Sequence, residues 1–292
     1  MFRKFVKIIF NLLKIIDFLF KKFFKKNFFL IFKELIEENS YEKIKINKND
    51  IFFFCPNDLI SWRIKTFFSK EPETLKWIDE FNHQNKHESL VFWDIGANIG
   101  LYSIYAAIKW KNIKIHSFEP SSSNLRVLSR NISINNLNEK IFINQFALCD
   151  DNQKKFQSMN ESSFLEGSAL HSFGSELNFE GKQISTKNKY KIIGLSINFY
   201  TNHLNNETPN YMKIDVDGIE HLILHGGTKI LQSNSLKEIC IELNENYIKQ
   251  TDTAIKIMTD NNFTFMKKER SKYILVSKEF DKSYNYFFVK KI

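Results

Sequence analysis

The run Leu90-Val91-Phe92-Trp93-Asp94, followed by Ile95 to Gly100 and then Leu101 to Trp110, constrains this chain more than any other stretch. Apolar residues up to a terminal aspartate predict a strand buried on both faces, and such strands belong to parallel sheets covered by helices. Gly96 and Gly100 flank Ala97-Asn98-Ile99 and permit a sharp turn straight into a helix, with Tyr102, Ala106 and Ile108 at its packing positions. A second strand, Ile113 to Phe118, ends in Glu119-Pro120. Ser121 or Ser122 can cap the next helix, which runs to about Asn135, and Ile141 to Leu148 supplies a third strand. This alternation specifies β-α-β units. With only 9 Gly and 4 Pro in 292 residues, a turn-dense all-β sandwich and Pro/Gly-rich linkers are excluded, and one main domain is expected.

The turn and the second strand end together form the first candidate site. Glycine there lets a ligand approach the backbone, and Glu119 stands where a carboxylate can accept hydrogen bonds from both hydroxyls of a ribose. An adenosine-containing cofactor is therefore expected. A dinucleotide would need Gly-x-Gly-x-x-Gly against its pyrophosphate, and that pattern is missing. The turn begins instead with acidic Asp94, which would repel a pyrophosphate and attract the amino group of a methionine moiety. That charge favours S-adenosylmethionine over NAD. No Walker A loop and no Gly-x-Ser-x-Gly elbow is present.

A second candidate site lies in Lys213-Ile214-Asp215-Val216-Asp217-Gly218-Ile219-Glu220-His221, at the end of the strand Tyr211 to Ile214 and the start of a helix reaching about Leu231. In a parallel sheet this edge binds ligands. Asp215 and Asp217 could contact substrate hydroxyls or a cation, whereas Glu220 or His221 could take the proton of a hydroxyl nucleophile. Helix capping is the competing role for the acids. Asp215, Glu220 and His221 stand as candidate bases, in no order. His221 and His225 share a helical face but lack the Glu of a zincin motif, and His83 and His87 lie in a polar connection, so no resident metal is expected. Residues 150 to 190 are polar and weakly periodic, predicting an insertion or irregular segment able to carry substrate contacts. Glu238 to Leu243 predicts a strand and Thr251 to Asn261 a helix. Phe263 to Met266, Tyr273 to Val276 and Tyr286 to Val289 complete a terminal β portion.

These blocks resemble the FkbM family of S-adenosylmethionine-dependent methyltransferases. The resemblance rests on Phe92-Trp93-Asp94-Ile95-Gly96-Ala97-Asn98-Ile99-Gly100, on Phe118-Glu119-Pro120, and on Met212 to Glu220, with support from Ala147-Leu148 and Ile241-Glu242-Leu243. It covers roughly residues 90 to 245, and the lead-in from Cys55-Pro56-Asn57 to Thr74 is similar to a segment of some bacterial members. It implies a class I, Rossmann-like α/β fold: a seven-stranded, mostly parallel sheet with helices on both faces and a reversed last strand. It also implies that Asp94, Gly96, Ala97, Asn98 and Gly100 form the methionine-side turn, that Glu119 and Pro120 hold the ribose side, and that Ala147 lines the same cofactor site. The chain departs from the family pattern at Asn198 and Asp217, where members often carry an acid and a Glu respectively. Family members act on polyketide macrolides and sugars, so the expected reaction is O-methylation of a hydroxyl-bearing acceptor such as a surface-glycan precursor.

Charge is concentrated at the start. Residues 1 to 33 hold nine Lys/Arg against Asp17 alone, most of the chain's net +9, together with ten of its 30 Phe. At helical spacing Arg3, Lys7, Asn11, Lys14, Lys21 and Lys25 fall on one side, and Phe2, Phe5, Ile9, Leu12, Ile16, Phe20 and Phe23 on the other. An amphipathic helix of this composition suits peripheral contact with an anionic membrane surface; packing on protein is the alternative. No uncharged apolar run is long enough to span a bilayer. Nucleic acid is not an expected partner, since an amino-group methyltransferase of nucleic acid carries an Asn/Asp-Pro-Pro-aromatic block where this chain has Asp215-Val216-Asp217-Gly218. Cys55, Cys149 and Cys240 form no Cys-x-x-Cys pair and read as reduced thiols of a cytosolic protein, peripheral to the inner face of the membrane if the helix docks there. The expected organisation is a basic helical segment over 1–40, a lead-in over 41–89 packing on the core, and a methyltransferase domain over 90–292. An inactive methyltransferase-like interaction protein at a membrane surface is the alternative function, and an NAD-linked oxidoreductase a third.

Overall fold

The computed structural model describes residues 2–82, 89–152, 155–204, 207–270 and 280–291. The chain begins with two helices, α1 (Phe2–Phe24) and α2 (Phe28–Glu38). The single helical segment expected over 1–40 is thus broken, because Lys25 takes a left-handed φ of 53° and Asn27 caps α2, accepting from the Leu30 N–H at 3.0 Å. A hairpin of β1 (Tyr41–Ile46) and β2 (Asn49–Phe54) follows, turning through Asn47 and Lys48, both at positive φ. Helices α3 (Asp58–Lys70) and α4 (Pro72–Asp79) lead into the central sheet.

That sheet is built from β3 (Leu90–Ile95), β4 (Ile113–Phe118), β5 (Ile141–Asn144), β10 (Tyr211–Ile214), β11 (Glu238–Asn244), β12 (Phe263–Glu269) and β13 (Ser283–Lys290). Its order is β12-β13-β11-β10-β3-β4-β5. Every pairing from β5 to β11 is parallel, while β13 runs antiparallel between β11 and β12. This is the class I methyltransferase topology, with the reversed last strand inserted one place from the edge. The chain reverses direction between β3 and β10, which is where an open α/β sheet forms its ligand crevice.

Both faces of the sheet are covered. Leu90 and Phe92 of β3 pack towards α3, α4, α5 (Leu101–Lys109) and α6 (Ser122–Ile134), whereas Val91, Trp93 and Ile95 face the opposite cluster, which includes α7 (Ile197–His203), α8 (Glu220–His225), α9 (Thr228–Leu231) and α10 (Ile248–Asp260). Phe92 and Trp93 are both 0% exposed, so truncating either to Ala would cost about 3–5 kcal/mol. The lead-in is tied to this core through Asn131 of α6, whose side chain accepts from the Phe54 N–H at 2.7 Å and donates to the Ile99 carbonyl at 2.9 Å. The helix expected to run to Leu231 is divided at Gly226-Gly227, where a Cβ on Gly226 would lie 2.2 Å from the Cys149 carbonyl oxygen.

Residues 150 to 190 differ from the irregular segment expected. They supply β7 (Phe156–Glu161), β8 (Ser172–Phe173) and the start of β9 (Asn188–Leu195), which join β6 (Ala147–Leu148) in a small sheet ordered β6-β9-β7-β8. The strands hid in the sequence because their inward residues are largely polar: Glu161 is 0% exposed and accepts from Ser121 Oγ, Asn188 Nδ2 and the Tyr190 hydroxyl at 2.7–2.8 Å. The expected strand at Tyr273 to Val276 and the pair His83 and His87 lie outside the described residues.

Candidate active site

The turn after β3 is shaped by the strands on either side of it. The N–H groups of Gly96 and Ala97 both donate to the Phe118 carbonyl, at 2.9 and 3.0 Å, and Asp215 N–H donates to the Ile95 carbonyl at 3.0 Å. Gly96 has φ +85°, and a Cβ there would lie 1.8 Å from the Asp215 carbonyl oxygen, so no other residue fits. Asn98 stands at the apex with φ 51°. Its N–H donates to Glu119 Oε2 at 2.8 Å, and the second carboxylate oxygen accepts from the Ser121 N–H at 2.8 Å. Glu119 is 4% exposed, and burial pushes its pKa up to about 7.

A cavity of about 650 Å³ opens over this edge, a size suited to a nucleoside-sized ligand and an acceptor. It is lined by Gly96, Ala97, Asn98, Glu119, Pro120 and Ala147, by Trp62, Arg63 and Lys70 of α3, and by Asp215, Asp217 and Glu242. The stretch from Ser162 to His171 lies across it. Asn98 Nδ2 and Asn124 Nδ2 donate to the Ser168 carbonyl at 2.8 and 3.1 Å, Arg63 Nε donates to the Gly167 carbonyl at 2.5 Å, and the Leu170 N–H donates to Asp217 Oδ2 at 2.6 Å. The cover thus touches the turn, the lead-in and Asp217 at once.

Carboxylate oxygens of Asp215, Asp217 and Glu242 lie within 4.8 Å of one another. Lys213, fully buried, donates to Asp215 Oδ2 at 2.6 Å. Burial opposes charge on Asp215, but the Lys213 ammonium outweighs it and holds the carboxyl far below the usual range. Glu242 is driven well above that range by burial and by the Asp215 charge beside it. Asp217 falls between them: burial, reinforced by Asp215, raises it to about 6. A hard divalent cation suits three carboxylates by spacing, but here it would compete with Lys213 for Asp215 and with Lys70, whose charge also acts on Asp215 and Glu242.

Against this geometry, the family model described as the methyltransferase FkbM domain matches residues 94–265, more than half of the chain. The chain belongs to the FkbM methyltransferase family. No curated protein matches it. Among solved structures it is similar to a precorrin-6y C5,15-methyltransferase from Geobacter metallireducens, at 13% identity and TM-score 0.42, over 76% of this chain and 87% of that one. It is also similar to M. jannaschii TYW2 in complex with AdoMet, at 14% identity and TM-score 0.43, over 86% and 87% of the two chains. The cofactor of this FkbM-family domain is S-adenosylmethionine. The residues present fit it: Asn98 Oδ1, in the cavity wall, is buried and accepts no hydrogen bond among the described residues, and Glu119 retains lone pairs for ribose hydroxyls.

The candidate residues divide sharply by position. Gly96, Ala97, Asn98, Glu119, Pro120, Ala147 and Asp215 line the cavity, while Gly100 is the left-handed N-cap of α5. Asp94 is 0% exposed and outside the cavity wall; its Oδ2 accepts from Ser103 Oγ at 2.6 Å and its Oδ1 has no partner. It braces the turn from behind, because strand alternation points it towards α5, and it does not reach a methionine amino group directly as its charge had suggested. Glu220 and His221 also need correction as candidate bases. Glu220 is 2% exposed, accepts from the N–H groups of Val216 and Gly218 and from Gln250, and so closes the loop beneath the site. His221 faces Tyr247, and His225 pairs with Asp150 at 3.0 Å, so these histidines do not converge. Asn198 bonds Asp151 Oδ2 at 2.7 Å, away from the cavity wall. Reasoning from the sequence missed Glu242 as a site residue, and missed Arg63 and Lys70. The block Ile241-Glu242-Leu243 was the available signal for the first, and the resemblance of the lead-in from Cys55 to Thr74 to a segment of some bacterial members was the signal for α3, although only folding lays that helix across the crevice.

Proposed function

We propose that this FkbM-family methyltransferase is an O-methyltransferase acting on a hydroxyl of a sugar or glycan precursor, with Asp217 as the general base. The observation that carries the reading is the acidic part of the cavity lining, where Asp217 is the one of three clustered carboxylates whose pKa, about 6, suits proton removal near neutral pH. Asp215 is too weak a base beside Lys213, and burial beside the Asp215 charge pushes Glu242 well above the usual carboxylate range.

When bound, S-adenosylmethionine supplies a methyl group made electrophilic by its positive sulfur. Asp217 Oδ2 is held by the Leu170 N–H, which leaves Oδ1 to take the proton of the acceptor hydroxyl. Glu242, hydrogen-bonded to Asp215, and Asp215 itself place further carboxyl oxygens beside Asp217 for the other hydroxyls of a polyol. Trp62, 41% exposed at the cavity mouth, offers a flat apolar face to the C–H side of a sugar ring. The cover from Ser162 to His171 excludes water.

The test is a turnover screen of the full chain with S-adenosylmethionine against free sugars, nucleotide sugars and lipid-linked sugars, each paired with its deoxy or amino counterpart and read by product mass. Methylation that disappears with the hydroxyl supports the reading. Transfer to the amino counterpart alone would overturn it.

A further inference from the structure

Residues 2 to 38 form a helical hairpin whose apolar side chains are left uncovered by the rest of the fold. In α1, Phe2, Phe5, Ile9, Leu12, Ile16, Leu19 and Phe23 fall within one continuous arc at 100° per residue, and all are exposed, Phe2 at 79% and Phe23 at 69%. Helix α2 does not cover them. It packs along one flank of the arc, through Phe10 against Phe29 and Phe20 against Phe28, and adds its own exposed Leu30, Ile31, Leu35 and Ile36.

The charge of α1 is almost wholly positive. Asp17, the only acid before Glu34, is buried: it accepts from the Phe29 N–H at 2.8 Å and pairs with Lys21 at 2.8 Å. The single negative charge of α1 is therefore consumed within the hairpin, where it caps α2, and the remaining acids, Glu34, Glu37 and Glu38, all lie in α2. Among the described residues, Arg3, Lys4, Lys7, Lys14, Lys22, Lys25, Lys26 and Lys33 are exposed and form no ion pair with a carboxylate. No helix among the described residues is long and apolar enough to cross a membrane.

From this geometry we infer that the α1–α2 hairpin docks the protein onto an anionic lipid bilayer, with α1 lying in the interface plane, its Phe/Ile/Leu arc among the acyl chains and its lysines among the headgroups. Both properties are needed for that occupant. An apolar protein groove would accept the arc but has no use for eight unpaired cations, whereas nucleic acid would take the cations and leave the phenylalanines in water.

The attachment of the hairpin also orients the cavity. Glu37 of α2 pairs with Arg126 and Arg130 of α6, and Arg126 pairs in turn with Glu166 of the segment lying across the cavity. Docking thus holds the cavity's cover one arginine, Arg126, from the bilayer-bound hairpin. The docking itself does not depend on what the cavity binds.

Flotation of the full chain with vesicles of phosphatidylcholine alone, and of phosphatidylcholine with 30% phosphatidylglycerol, tests the inference. Binding to the anionic vesicles only, weakened by salt, is expected. Lys7→Gln with Lys14→Gln should lower the partition coefficient about 30-fold, at about fivefold for each basic side chain near an anionic surface. Phe5→Ser with Ile9→Ser should abolish the remaining salt-resistant part. Circular dichroism and melting of each variant establish that the core is intact. Equal binding to both vesicle types, no binding to either by folded protein, or a concentration-dependent dimer that buries the arc would each overturn it.

Discussion

Glu119 couples cofactor binding to pH in a way that can be worked out from its surroundings. Its carboxyl is buried beneath the glycine turn, and burial raises its pKa to about 7 despite the N–H groups of Ser121 and Asn98. Ribose hydroxyls donate to a carboxylate, so the bound state requires Glu119 ionised and returns it to the ordinary range. With half the free chain protonated at pH 7, binding releases about half a proton there, and affinity climbs about 30-fold, or about 2 kcal/mol, between pH 5.5 and pH 8 before levelling. Calorimetric titration with S-adenosylhomocysteine measures this directly, with proton release read from two buffers of different ionisation enthalpy. Glu119→Gln should bind more weakly and lose the slope, which separates Glu119 from Asp217, titrating nearby at about 6. A flat wild-type profile without proton release would refute the reasoning, as would an unchanged slope in Glu119→Gln.

Other perturbations separate chemistry from architecture. Asp217→Asn should lower kcat by about 10²–10⁴-fold with little change in cofactor affinity, since Asn tolerates the left-handed φ of 63° and still accepts from Leu170; single-turnover rates and melting curves check both parts. Lys213→Met should cost about 1–3 kcal/mol in denaturant unfolding, because the partly covered Asp215 would lose its nearest cation. Gly96→Ala should be destabilised by more than about 3 kcal/mol and fail to bind cofactor, given the 1.8 Å approach to the Asp215 carbonyl. Burial raises Glu220 to about 8, so its contribution to stability is fully present below about pH 4.5 and is lost as pH rises towards 8, at up to about 1.4 kcal/mol per pH unit. Glu220→Gln should remove that slope in melting experiments while leaving kcat at pH 7 unchanged, and a collapse of kcat would return Glu220 to the catalytic machinery.

What the sequence disclosed, and what it withheld, divides along one physical line. The strand–turn–helix unit was legible because its residues answer to local constraints: a fully apolar strand, glycines where φ must be positive, and an acid at the next strand end. The same logic exposed Asp215, which stands at a strand terminus whose neighbours are buried on both sides. Base assignment failed for Glu220 and His221 because a loop's path decides which of several adjacent acids turns towards the crevice. In Asp215-Val216-Asp217-Gly218 the left-handed Asp217 redirects the chain, sending its own carboxyl into the cavity and Glu220 beneath the loop. The Asp217-Gly218 pair signals a turn, but it does not say which of the adjacent acids the turn presents to the crevice.

Long-range partners were the other blind spot. Arg63 and Lys70 arrive from a lead-in helix more than a hundred residues earlier than the acids they face, and Glu242 comes from the adjacent strand β11. Their roles follow from sheet order alone: β10 lies between β3 and β11, so the ends of three strands open onto one cavity. The pKa values make the same point, since Asp217 and Glu242 acquire their shifts from burial and from the charge on Asp215, contacts that exist only once the strands pair. A sequence can therefore nominate the carboxylates of such a site, but the fold tells them apart, through the burial and the neighbouring charge that each one meets.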